Sequence, residues 1–363
     1  MAEFKLFKSI YHLYSNDLSY SEFERLIKRE APEIYAFYSA ELTPLDLSKN
    51  KVSGTLTFLK NLFVAFLMKL SPVRRIIYSM SLFFFFYGYL YGMWGWSTLA
   101  FVLINGLLAF ELADKLSARD ELNIARKIQS NLMPKSPPKL IKYDIACYSE
   151  TAKEVGGDYY DFISMNNDNN HYLVIVGDIS GKGMAAAIYM VQVQAILHHL
   201  INFNSELKQI LVQLNKNLYR ILKREFFFTS GVVSLSNSNE LTICRAGHMP
   251  FIFYSTLEKK CTKLTPQGIG LGLTDKTIFN DSLKSDNLEM NTGDILLIFT
   301  DGVTETMNNY KQQFGEERLL NLIERNAQKS AKEIEIALLR EINLFKRDAS
   351  PHDDLTFVIL KAN

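Results

Sequence analysis

Residues 76–110 run for 35 positions without an Asp, Glu, Lys, Arg or His. As one straight helix such a run would extend roughly 52 Å at about 1.5 Å per residue, against a hydrocarbon core of about 30 Å. Two shorter helices fit that thickness. Gly88, Gly92 and Gly95 lie mid-run among Trp94, Trp96 and several tyrosines, where a turn at a membrane interface wants pliable backbone and interfacial aromatics. The pattern predicts a transmembrane hairpin over 73–113, with helices at 73–91 and 97–113. A single tilted span, which would put the C-terminal region on the opposite side, is the alternative reading. Lys49, Lys51, Lys60, Lys69, Arg74 and Arg75 precede the first span and no acidic residue follows Asp46 before it, so both ends of the hairpin are expected on the cytoplasmic side.

Upstream, Phe58, Leu59, Leu62, Phe63, Phe66, Leu67 and Leu70 recur at helical spacing, interrupted by Lys60 and Lys69. This predicts a helix that either lies in the cytoplasmic interface or packs on residues 1–50. Residues 1–72 are thus expected to form a helical, cytosolic N-terminal region. After the hairpin, 111–133 has high helix propensity, with Ala118, Leu122, Ala125 and Leu132 on one face and no proline until Pro134. This stretch is the core of a linker over 114–138. A homodimeric coiled coil and a solitary connecting helix both suit it, because Gln129 interrupts a short heptad. Pro134, Pro137 and Pro138 end the linker, and a further domain is expected over 139–363. There, β-rich runs such as HYLVIVGDI, DILLIFTDG and LTFVILK surround helical stretches at about 184–202, 205–223 and 315–347. Strands followed by paired helices predict an α+β domain of antiparallel sheets layered with helices.

Composition sharpens this only where it is uneven. The chain is 48% hydrophobic and 12% aromatic, with the excess concentrated around the uncharged run. Forty basic against 39 acidic residues leave a net charge of +1, without the basic field that phosphate-backbone binding needs, so no nucleic-acid partner is expected. Cys147, Cys244 and Cys261 form no C-x-x-C pair, which argues against a disulfide framework or structural zinc and suits a reducing cytosol. The first ten residues lack the apolar core and cleavage site of a removable signal peptide.

Acidic residues mark the places where strands give way to turns: Asp158 in EVGGDYYDF, Asp178 in VGDISGKG, Asp301 in FTDGVTE, and Asp353 with Asp354 in HDDLTF. Singly each is a common turn or cap residue. Together they form an oxygen-only donor set whose convergence would need cations to offset repulsion, and such a set favours Mg²⁺ or Mn²⁺ over zinc. GDISGKGMA is not a nucleotide phosphate loop, since the required first glycine falls at Val176 and Lys182 is followed by Gly183. His198 and His199 are adjacent and do not share the i, i+4 face of a helical zinc site.

The ordered series ELNIARKIQSNLMP, GGDYYDF, GDISGKGMAAA, RAGHMPFIFY, LLIFTDGVTE, FGEERL and DDLTFVIL resembles the PPM-type (protein phosphatase 2C-like) serine/threonine phosphatases, in the bacterial branch of SpoIIE and RsbU, over about 122–360. The resemblance implies an αββα sandwich with two metal ions, Mn²⁺ or Mg²⁺, at one end of its sheets. It implies Asp178 as the bridging ligand, with the Ile179 carbonyl, Asp158, Asp301 and Asp353 completing the set, and Asp178 and Asp301 as the catalytic pair. Asp353 is preferred to Asp354 by its place in the family's D-[DN]-x-[ST] motif. Eukaryotic members carry a histidine after the bridging Asp-Gly, where this chain has Ile179, Ser180 and Gly181. The general acid is therefore unassigned, with His248 more a loop-fixing residue than a proton donor, and Lys182 either a phosphate contact or a solvated turn residue. The resemblance also implies a phosphoprotein substrate, an anti-sigma-factor antagonist in this branch, while the hairpin and its flanking basic residues predict a multi-pass protein of the inner membrane with its catalytic domain in the cytoplasm. A non-catalytic membrane scaffold that binds a phosphoprotein is the rival reading, and it leaves so many converging carboxylates without a purpose.

Overall fold

The computed structural model describes residues 51–165, 168–203 and 206–363; the expectations for 1–50 lie outside them. Two compact units, Met1–Ser117 and Ala118–Asn363, divide the chain.

In the first unit, α1 (Lys51–Lys69) is followed by α2 (Pro72–Leu90) and by the start of α3 (Trp94–Leu132). Phe63 and Phe66 of α1 meet Tyr78 of α2, with ring centroids 6.4 and 5.3 Å apart. Arg75 Nε donates to the Leu67 carbonyl at 2.9 Å, which fixes the corner between the two helices. The hairpin turns at 91–93, where the Met93 amide donates to the Gly88 carbonyl at 2.8 Å. Phe84 meets Trp96 across the pair in a tilted ring contact with centroids 4.9 Å apart. At the base, Arg74 pairs with Glu111 at 2.8 Å and with Asp114. Both charged ends therefore lie together, with the aromatic turn at the far end. Large side chains such as Phe83, Phe86, Phe101, Leu108 and Phe110 are exposed along both helices. Among the described residues two helices are long and apolar enough to cross a membrane: α3, and one at Met184–Ile201. The latter belongs to the core of the second unit. Helix α2, with two arginines in its first turn, does not meet that standard.

The second unit contains β1 (Tyr143–Glu150), β2 (Asp158–Met165), β3 (Asp168–Ile179), α4 (Met184–Ile201), α5 (Leu207–Ile221), β4 (Phe228–Ser236), β5 (Glu240–Ala246), β6 (Phe251–Ser255), β7 (Lys260–Leu264), α6 (Lys276–Ser282), β8 (Ser285–Glu289), β9 (Ile295–Phe299), α7 (Asp301–Glu305), α8 (Glu316–Asn326), α9 (Ala331–Lys346) and β10 (Leu355–Ala362). Two antiparallel five-stranded sheets result, in the orders β1-β10-β9-β6-β7 and β2-β3-β4-β5-β8.

The near-continuous apolar runs of the central strands are explained by burial on both faces. In β3, Val174 and Val176 face the other sheet, packing with Leu296, Ile298, Val358 and Leu360. The alternate residues Leu173 and Ile175 face α4 and α5, meeting Met190, Val193, Leu211 and Leu214. In the partner sheet, Leu297, Phe299, Phe357 and Ile359 turn outward to Leu319, Ile323, Ile334 and Leu338 of α8 and α9. The order of layers is thus helices, sheet, sheet, helices, the expected αββα sandwich. The single helical stretch expected at 315–347 is two helices. Ser330 accepts from the Glu333 amide while the Ser330 amide donates to Glu333, a capping box that restarts the chain as α9.

Candidate active site

The two sheets bring their acidic ends together. On β2 and β3, Asp158 lies directly opposite Asp178, and on the other side Asp178 pairs with Thr229 of β4. From the second sheet, β9 ends at Phe299 and leads through Thr300 to Asp301, while Asp353 and Asp354 stand just before β10. One buried hydroxyl joins the sheets here. Thr300 Oγ1 donates to Asp158 Oδ2 at 2.8 Å, and the Thr300 amide donates to the Thr356 carbonyl at 2.9 Å.

A cavity of about 380 Å³ opens at this junction, lined by Asp178, Asp301, Asp353, Lys182, Thr229 and His248 among others. Asp158 lies behind it, only 3% exposed. Burial raises the Asp158 pKa well above the carboxylate range, and repulsion from Asp178 and Asp354 adds to the rise. Asp178 is pushed up to about 8 by burial and by Asp301, Asp353 and Asp354. Asp301 is raised by burial and then by Asp353 and Glu305. Carboxylates that repel one another in this way are suited to divalent cations, whose charge would offset that repulsion. Donor type and charge therefore fit Mg²⁺ or Mn²⁺. Among the described residues, no three His, Cys, Asp or Glu side chains are already drawn around one point.

Asp353 and Asp354 divide their labour clearly. Asp354 accepts from the Ala152 amide through Oδ1 and from the Gly157 amide through Oδ2, both at 2.8 Å; it holds the 151–157 loop and reaches only a crevice of about 10 Å³. Asp353 lines the main cavity and pairs with Lys182 Nζ at 2.5 Å. Gly157 is required where that loop touches the acids, since a Cβ there would stand 2.9 Å from both Asp178 Oδ1 and the Ile179 carbonyl oxygen. That carbonyl therefore sits beside the Asp178 carboxylate, while the Ile179 side chain is buried in the core.

His248 is buried beside the cavity, with Nδ1 3.0 Å from Thr229 Oγ1. Burial lowers its pKa to about 3, so it is neutral at neutral pH and holds no imidazolium proton to give. Its backbone carbonyl accepts from Arg245 at 2.7 Å, which makes the RAGHMP segment a braced loop.

Three contributors went unseen in the sequence. Gln129, on α3, reads the 151–157 loop in both directions: Nε2 donates to the Gly156 carbonyl at 2.7 Å, and the Gly156 amide donates back to Oε1 at 3.2 Å. A polar residue interrupting a heptad was its only signal. Thr300 was hidden by its ordinary strand-end composition. The second acid of GGDYYDF, Asp161, accepts from Tyr159 at 2.7 Å and faces His198 Nε2 at 2.8 Å, tying β2 to α4.

The SpoIIE family (Stage II sporulation protein E) matches residues 168–363. The chain is 27% identical over 246 residues to the phosphoserine phosphatase RsbU of Bacillus subtilis, covering 67% of this chain and 70% of RsbU. It is 29% identical over 293 residues to Protein IcfG of Synechocystis, covering 72% of this chain but only 44% of IcfG. Among solved structures, the SiaA-PP2C domain of Pseudomonas aeruginosa superposes with a TM-score of 0.59 at 18% identity, covering 69% of this chain and 99% of that domain.

Proposed function

This chain belongs to the SpoIIE family and is a serine/threonine protein phosphatase, and on that premise we propose that it is a membrane-tethered enzyme using two divalent cations. The observation that carries the proposal is the convergence of Asp178, Asp301 and Asp353 on one cavity with Asp158 behind them, where burial and then the neighbouring acids raise Asp158, Asp178 and Asp301. Asp178 would bridge the ions, and the Ile179 carbonyl, Asp158, Asp301 and Asp353 would complete their shells. When bound, Mg²⁺ or Mn²⁺ supplies charge that lowers the pKa of water and neutralises phosphoryl oxygens during in-line displacement.

The protein's own part is to hold these carboxylates where they cannot relax apart. Thr300 pins Asp158 across the two sheets, and Asp354 pins the loop that brings Gly157 against Asp178. Neutral His248 and Thr229 form an uncharged wall that adds no competing cation. The expected result is phosphate release from a phosphoserine or phosphothreonine protein by the full chain in detergent, dependent on Mn²⁺ or Mg²⁺ and abolished by chelation. Metal-independent release, or none from folded, metal-supplied protein, would refute the proposal. A phosphorylated anti-sigma-factor antagonist is the proposed natural substrate, on the strength of the resemblance to the RsbU branch, and it should be turned over faster than an unrelated phosphoserine protein.

The exposed apolar hairpin of α2 and α3 supports the membrane tether, with Arg74, Glu111 and Asp114 gathered at its cytoplasmic base. A reporter enzyme that works only outside the cytoplasm should be active when fused at Gly92 and inactive when fused at Lys139. The reverse pattern, or activity at Lys139, would establish the single-span alternative.

Helix α3 is continuous from Trp94 to Leu132, and Gln129 near its end grips Gly156. We read this as the route by which signals reach the site, through either a solitary or a dimerised helix. Gln129→Ala should lower kcat about tenfold or more, the scale at which losses of outer support tell on metal sites, and weaken Mn²⁺ binding. Wild-type values for both would exclude the route.

A further inference from the structure

Lys182 sits in a short loop between Gly181 and Gly183, whose φ angles of 93° and 80° belong to the left-handed region. The loop is pinned at both ends. Ser180 donates its amide to the Phe227 carbonyl at 2.9 Å, and the Phe227 amide donates to Ser180 Oγ at 2.8 Å, while α4 starts immediately after Gly183. The ammonium cannot wander far from the cavity. Nζ donates to Asp353 Oδ2 at 2.5 Å and to the His352 carbonyl at 3.1 Å. Among the described residues lining the cavity, Lys182 is the one lysine or arginine, set against three carboxylates.

We propose that Lys182 and a divalent cation compete for Asp353, and that Lys182, once displaced from that carboxylate, positions the substrate phosphoryl group. The inference rests on the two-cation reading of the site. One carboxylate oxygen cannot serve an ammonium at 2.5 Å and a divalent ion at about 2.1 Å without crowding two positive charges. The ammonium is the partner that yields, because the pair is partly exposed, with side chains 46% and 28% accessible, and such pairs are weak. Once released, a lysine on a flexible four-carbon stem held at the cavity by its backbone is placed to meet an oxygen of the incoming phosphoryl group.

The test is calorimetric titration of Mn²⁺ into the full chain in detergent, for wild type and Lys182→Met, beside steady-state kinetics on a phosphoserine protein. Removing the competitor should tighten Mn²⁺ binding up to about fivefold, the reach of an exposed pair. It should also raise KM about tenfold, the scale of a hydrogen bond to a charged group, with kcat little changed, and Lys182→Arg should recover most of the KM. Unchanged or weaker Mn²⁺ binding in Lys182→Met, or an unchanged KM, overturns the inference while leaving the site reading intact. Absence of Mn²⁺ binding in wild type overturns both.

Discussion

Asp178→Asn abolishes cation-dependent phosphate release, with kcat/KM reduced by more than about a hundredfold, since even outer partners of metal ligands cost 10- to 100-fold. The substitution keeps the shape of the side chain and removes its charge at the point where the two sheets converge. Stability should move the other way. In the cation-free protein, burial and three neighbouring acids push Asp178 from 3.8 up to about 8. A carboxyl whose folded pKa lies above its unfolded one binds more protons in the native state. Stability therefore falls as pH rises through that interval, and the loss is complete above the folded value. Asp178→Asn should flatten this decline, so that at pH 8 the cation-free variant melts at or above the wild-type temperature. A variant that melts well below wild type would mean that Asp178 supports the fold rather than the chemistry.

Asp354→Ala is expected to lose stability. It leaves the Ala152 and Gly157 amides without their acceptor, at about 1–3 kcal/mol for each buried donor. Relief of repulsion against Asp158 and Asp178 offsets part of this. A net loss of roughly 2–4 kcal/mol corresponds to a fall of roughly 4–15 °C in the melting temperature of a unit this size. Activity should fall as well, because the loop carrying Gly157 is no longer held against Asp178. Asp353→Ala, at a partly exposed pair, should lose activity with little change in melting temperature. Equal melting temperatures for Asp353→Ala and Asp354→Ala would show that the two acids are not divided as their hydrogen bonds indicate.

Much of this arrangement was legible in the sequence. Strands β3, β9 and β10 announced themselves because burial on both faces makes nearly every residue apolar. The acids at their ends stood out against those runs, and the order of the motifs carried the αββα expectation. Strands β7 and β8 did not show, since KCTKL and SDNLE are largely exposed edge strands with little apolar content to mark them. Strand β2 was masked by its polar start at Asp158 and by Asp161, whose charge is absorbed by Tyr159 and faced by His198 across more than thirty residues of chain. The same limit applies to Gln129 and Thr300. Their roles lie in long-range hydrogen bonds to Gly156 and Asp158, and composition around them gives no hint of such partners. The choice of Asp353 over Asp354 rests on motif position, and the amide bonds to Asp354 could not be foreseen from the sequence.

The most direct test is anomalous diffraction from crystals of the full chain grown with Mn²⁺. The account predicts two manganese peaks, both about 2.1 Å from Asp178 carboxylate oxygens, with Asp301 and Asp353 directly coordinating the second ion and Asp354 still bonded to its amides. A single peak, or peaks coordinated by Asp354 with Asp178 left outside, would contradict it.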